Sequence, residues 1–171
     1  MRAFALPFMQ VTIRPLHPVD LEAVLRVQAA SYPPAMQEAA GVLLARLAAA
    51  PATCLAACDA DGVCGYLFAY PSRLGRLTDL GAPFGVAPDA DTLYLHDLAL
   101  DPRALGRGLA RTLVADMLER GRGLGLAHAA LVSVQDSKRF WSGLGFAARA
   151  TNDPGLLTYP PGAVYMVRGP A

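Results

Sequence analysis

The sequence predicts one α/β domain whose central sheet is mixed and mostly antiparallel, flanked by helices on both faces. The 171 residues are 54% hydrophobic and only 17% charged, enough apolar material for one sizeable core in a chain too short for two ordinary domains. Apolar residues recur at spacings of two in some segments and three to four in others, giving the order β-α-α-β-β-β-α-β-α-β-β. Near the middle of the chain, a glycine-punctuated turn joins an apolar strand to an amphipathic helix.

The first ten residues are apolar, but Pro7 and Gln10 interrupt a run already too short to span a bilayer, and no small-residue cleavage site follows. They are expected to form an arm, residues 1–10, ahead of a single domain over 11–171. Residues 11–16 alternate apolar and polar as a first strand, ended by His17-Pro18, after which Asp20 is placed to cap a helix. Leu21, Val24, Leu25 and Val27 recur at helical spacing until Tyr32-Pro33-Pro34 stops the pattern. A second helix is expected over 38–49, with Val42, Leu43, Leu44 and Leu47 inward and Pro51 closing it. Two strands then meet at Asp61-Gly62, a hairpin signal. Residues 71–90 lose periodicity and read as a long recognition loop. A strand over 91–102, a helix over 109–125 and a strand over 128–134 follow. A short helix over 137–144, stopped by Gly145, leads to strands over 146–150 and 163–168.

A formal net charge of +1 and the absence of any Lys/Arg run longer than two leave no electrostatic footprint for duplex nucleic acid. The only anion expected is a small one. Cys54, Cys58 and Cys64 lack CxxC pairs and companion histidines, which argues against a metal site. Their odd number and apolar surroundings favour reduced thiols in a cytoplasmic protein, and with no run long enough to span a bilayer no membrane partner is expected.

The turn Leu105-Gly106-Arg107-Gly108-Leu109-Ala110-Arg111 opens a helix directly after a strand. Small residues there would let a diphosphate approach the backbone, where unpaired N–H groups and the helix dipole stabilise its charge. Arg107 and Arg111 add donors suited to phosphate oxygens. Ordinary turn chemistry explains such glycines equally well. The stretch 121–125 follows a helix and reads as its C-cap.

The segment from Leu95 to Ala110, with the later Phe140-Trp141-Ser142-Gly143-Leu144-Gly145-Phe146, resembles the core of the GNAT superfamily of N-acetyltransferases. That signature is a strand ending near Pro, then Arg/Gln-x-x-Gly-x-Gly/Ala, then a strand and a helix carrying Phe-Tyr-x-x-x-Gly-Phe. The resemblance implies the acyl-CoA N-acyltransferase fold, acetyl-CoA as co-substrate and no metal. Gly108 and Ala110 take the two small positions, and the amides of residues 106–111 would hold the CoA pyrophosphate. The backbone of Leu98, Ala99 and Leu100 would pair with the pantetheine arm, and Ser137, Phe140 and Trp141 would flank it. Leu105 departs from the family's Arg or Gln, for which Arg103 or Arg107 could compensate. Trp141 departs from the tyrosine that often protonates the leaving thiolate, a part an indole N–H cannot play. Tyr159, Tyr165 or Ser137 could substitute, and a thiolate is a tolerable leaving group without help.

Acyl transfer needs a neutral amine, so a base is expected near the thioester. Alternation puts Tyr94, His96, Leu98 and Leu100 on one face and Leu95, Asp97 and Ala99 on the other, unless a bulge intervenes. In the family, positions matching Tyr94 and His96 commonly hold acidic or histidine side chains facing the acceptor. His96 is therefore the expected base or proton relay, with Asp97 as its partner; a half-buried structural histidine is the plainer alternative. The Leu98 N–H would stabilise the oxyanion. By the same resemblance Tyr32, Glu38 and Phe84 wall the acceptor pocket; a small-molecule amine is the expected acceptor because the chain carries no added recognition domain, the fold itself not deciding substrate. Family members often pair through edge strands, which leaves a homodimer open. A catalytically silent acyl-CoA sensor is the main alternative. A mononucleotide-binding domain ranks below it, since no Lys-Ser/Thr follows the glycines.

Overall fold

The computed structural model describes residues 11–169, so the arm expected over residues 1–10 lies outside the described residues. In chain order the elements are β1 (Thr12–Pro15), α1 (Leu21–Ser31), α2 (Ala40–Ala49), β2 (Cys54–Asp59), β3 (Gly62–Ser72) and β4 (Thr92–Leu100). There follow α3 (Leu109–Gly123), β5 (His128–Ser133), α4 (Lys138–Ser142), β6 (Ala147–Ala148) and β7 (Val164–Arg168). Seven strands form one sheet in the order β1-β2-β3-β4-β5-β7-β6, antiparallel throughout except for the parallel pair β4 and β5.

Two apolar layers sandwich the sheet. Val24, Val27, Leu43 and Leu47 of α1 and α2 pack with Tyr66, Phe68, Tyr70 and Tyr94 on one face. Leu109, Leu113, Val114 and Met117 of α3, with Trp141 of α4, pack with Leu67, Leu93, Leu95 and Leu131 on the other. Burial of these stripes, rather than helix propensity, holds short helices in place.

Three local features differ from, or add to, what the sequence predicts. Asp20 does not cap α1 with its side chain; its carboxylate accepts from Arg14 at 2.7 and 2.8 Å and from the His17 N–H at 2.9 Å. Helix α2 starts at Ala40, which leaves Glu38 outside it in extended chain. The loop after β3 has no regular structure, yet it is tied down: the Leu77 N–H donates to Asp153 at 2.9 Å, the Leu80 N–H to Thr158 at 2.9 Å and the Tyr159 hydroxyl to the Thr78 carbonyl at 2.7 Å. No described helix is long and apolar enough to cross a membrane.

Strict alternation fails in β4. Phe68 of β3 lies opposite Asp97 and Ala69 opposite Leu95, so His96 is the extra residue of a β-bulge. Past it the faces exchange. Ala99 joins Tyr94 in the layer beneath α1, and Leu98 and Leu100 pack toward α3. Asp97, expected opposite His96, instead meets Tyr66 on the α1 side.

Candidate active site

The parallel ladder between β4 and β5 is short. It runs from Thr92 opposite His128 to Leu95 opposite Leu131, although β4 continues to Leu100. Where pairing stops, a cavity of about 160 Å³ opens between the strands, lined by Leu95, Leu98, Leu131, Ser137 and Trp141 among others. A hollow of about 370 Å³, bounded by Ser31, Leu100, Leu105, Ala110 and Phe140, extends it toward the start of α3. On the other side, a chamber of about 30 Å³ is lined by Tyr32, Glu38, His96, Asp97 and Tyr159. The three share walls and make one trough through the sheet. A larger hollow of about 450 Å³, beside Leu93, Gly121 and His128, lies at the far end of the ladder and holds no comparable cluster of polar groups.

At the α3 end, Gly106 and Gly108 have φ of +75° and +72°, a left-handed conformation that glycine adopts without strain, and a Cβ on either would meet no atom within 4 Å. The first α3 amide satisfied by a backbone acceptor in register is that of Thr112, which reaches the Gly108 carbonyl at 3.1 Å; helix geometry leaves those of Leu109, Ala110 and Arg111 without one. The structure thus brings the glycine turn to the mouth of the trough. The Arg103 guanidinium pairs with Asp59 at 3.1 Å and Asp101 at 3.0 Å on the exposed side of the turn. Arg107 stays in the exposed turn, while Arg111 lies over the Phe140 ring at 5.6 Å.

The edge of β4 facing the gap carries Leu98 and Leu100. The Leu98 carbonyl accepts from Tyr32 Oη at 2.9 Å and the Leu100 carbonyl from Ser31 Oγ at 3.1 Å. A strand residue presents its N–H and C=O on the same side, so the Leu98 and Leu100 amides face the gap too, and Ala99 faces β3.

At the chamber end, the bulge places His96 and Asp97 in succession along the chamber wall. The His96 side chain is only 2% exposed, so its backbone is what meets the gap. Its Nε2 lies 3.4 Å from the Glu38 carboxylate and its Nδ1 3.4 Å from Tyr159 Oη. Glu38 is a hub: it is paired with both terminal nitrogens of Arg46, one at 2.6 Å, and accepts from the Gly81 N–H at 2.7 Å. Burial alone would raise its carboxyl, but the hydrogen bonds from His96 and Arg46 prevail and hold it down at about 2. Asp97 shows the opposite outcome, its carboxyl pushed above the ordinary range by burial against the pull of His96, Tyr32 and Tyr66.

The remaining predicted residues separate into lining and packing. Tyr32 borders all three compartments. Tyr94 is 1% exposed and packed in the core layer, its hydroxyl 3.4 Å from that of Tyr159. Phe84 stacks on Tyr70 with centroids 4.3 Å apart and sits beneath Arg46 at 5.1 Å; it props the site from behind. Of the groups considered in place of the family tyrosine, Ser137 lines the gap beside Trp141, Tyr159 lines the chamber, and Tyr165 accepts the Gly75 N–H away from both. Sequence reasoning missed Arg46 and Tyr66. Arg46 had a signal: an arginine between Leu43 and Leu47, on the face of α2 that must be buried, needs an anionic partner.

The model of the Acetyltransferase (GNAT) family matches residues 21–146. No curated protein matches the chain. Among solved structures, Ard1 from Thermoplasma volcanium is 20% identical, the alignment covering 94% of this chain and 98% of that one, with a TM-score of 0.70. The PaiA N-acetyltransferase from Thermoplasma acidophilum in complex with coenzyme A is 16% identical over 94% and 99%, with a TM-score of 0.71. The ribosomal-protein-S18-alanine N-acetyltransferase from Escherichia coli is 16% identical over 94% of each, with a TM-score of 0.68. At these identities the structural likeness speaks for the fold alone.

Proposed function

The chain belongs to the GNAT family of acetyltransferases, and from that premise we propose that it transfers the acetyl group of acetyl-CoA to a primary amine of a small molecule, by direct attack in a ternary complex. The observation that supports this best is the trough, which joins a helix N-terminus suited to a diphosphate with a chamber holding a histidine and two carboxyl groups. When bound, acetyl-CoA supplies the activated thioester.

In this reading the amides of residues 106–111, with Arg107 and Arg111, hold the pyrophosphate. The Leu98 and Leu100 amides bind the pantetheine arm, and the Leu98 N–H faces the negative charge that builds on the thioester oxygen. His96, with its ring fixed between Glu38 and Tyr159, relays the amine's proton out of the chamber. Ser137, already donating to the Val134 carbonyl at 2.7 Å, lies on the sulfur side of the gap. Nothing assigns a nucleophilic part to Cys54 or Cys64, which are buried away from the trough.

The test is release of free CoA thiol from acetyl-CoA with a panel of amines, in wild type and His96→Ala. Amine-dependent release that drops about a hundredfold or more in the variant is the expected result. Saturable acetyl-CoA binding with no release across the panel would instead favour the sensor.

A further inference from the structure

We infer that the hollow beside the second half of α3, at the far end of the β4–β5 ladder from the trough, is a separate small-molecule site, and that its ligand is a monocarboxylate with a compact apolar body. The hollow, of about 450 Å³, is lined by the last turns of α3, the starts of β4 and β5 and the end of β7. Leu93, Leu118 and Leu126 make its apolar wall, and two of them, Leu93 and Leu126, are buried. Such a wall accepts hydrocarbon and offers nothing to a bare ion.

Charge sets the other end of the ligand. The ionisable side chains that line the hollow are Arg122, His128 and Arg168, and no acidic residue lines it among the described residues. Arg122 is already paired with Glu119, one turn back on α3. Arg168 is half-buried at the end of β7 and makes no hydrogen bond or ion pair among the described residues. A guanidinium cannot shed its charge, so one that has lost part of its water is completed by an anion. It is also held ready. Gly145 has φ of +87°, and a Cβ built on it would stand 3.5 Å from Arg168 Nε, so the arginine stem lies along a turn without a side chain. A carboxylate matches the guanidinium fork through two parallel N–H···O bonds, and its single charge balances the one arginine that remains unpaired. The negative end of the α3 dipole opposes an anion here, but its carbonyls are capped: those of Arg120 and Gly121 by the Leu124 N–H at 3.0 and 3.1 Å, that of Arg122 by the Gly125 N–H at 2.9 Å.

Benzoate, benzamide and acetate separate these requirements: the first has both parts, the second lacks the charge and the third lacks the apolar body. Binding to the full chain is measured by calorimetry, with and without saturating CoA, in wild type, Arg168→Gln and Ala115→Glu, with folding checked by thermal melting. Benzoate should bind at least about tenfold tighter than benzamide or acetate, with or without CoA. Arg168→Gln should remove that margin. Ala115→Glu sets an acid on the exposed flank of α3 that lines the hollow, outside the core, and should weaken benzoate about tenfold as well; it decides the matter if Arg168→Gln fails to fold. Equal binding of benzamide or acetate, or benzoate binding unchanged in the folded variants, overturns the inference. Displacement of benzoate by CoA would put it in the trough and overturns the inference too, as does absence of benzoate binding. Amine turnover is read separately by thiol release, and its failure would overturn acetyl transfer while leaving this site standing.

Discussion

Glu38 and Arg46 form a charged pair inside the layer between α2 and the loop after β3, and neither has solvent to fall back on. Removing one partner of such a pair leaves the other buried and unbalanced. Glu38→Gln should therefore cost about 3–5 kcal/mol at neutral pH, read from chemical unfolding. The pH dependence has a definite sign. A carboxyl whose folded value is lowered from near 4.5 to about 2 contributes stability above pH 4.5 and loses it as pH falls toward 2. The acid limb of the wild-type stability curve should be steeper in that window than that of Glu38→Gln. At this scale the neighbourhood of the candidate site was legible in the sequence, though not the part each residue plays. Tyr32, Glu38, His96 and Asp97 were singled out, and the chamber brings them together. Their division of labour was not legible, because a partner such as Arg46, eight residues from Glu38 in the chain, follows from packing rather than spacing.

Strands and helices followed from apolar periodicity, which reports burial directly. The bulge did not, since the run Leu95-His96-Asp97-Leu98 fits an unbroken alternation as well as an interrupted one; only the register against β3 distinguishes them. The loop after β3 shows a similar limit. Its Pro and Gly content marked it as irregular, whereas its attachment to residues 153–159 depends on contacts some 76 to 81 positions away. Asp153 anchors both partners, accepting from Leu77 at 2.9 Å and from Gly155 at 2.8 Å. Asp153→Ala should speed amide hydrogen exchange across residues 75–82 and raise KM for the amine more than it lowers kcat, since the loop closes the chamber through Leu80 without touching the glycine turn.

Across the whole molecule, the seven strands divide at the short β4–β5 ladder into β1 to β4 on one side and β5, β7 and β6 on the other. Fold class and the succession of elements along the chain were legible, because they rest on many residues and tolerate local error; family membership agrees with the fold class, whereas the order of strands in the sheet came only from the structure. The gap is a sheet with part of one strand missing, and its exposed amides at Leu98 and Leu100 offer a template for a guest that carries amides of its own. The pantetheine arm is such a guest, and by lying there it would act as a removable strand. Loading with CoA should then slow hydrogen exchange at Leu98 and Leu100, leave the already paired Tyr66 and Leu67 unchanged, and raise the melting temperature with ligand concentration. Under that coupling the guest extends the short β4–β5 ladder and ties together two parts of the sheet that otherwise meet along four residue pairs.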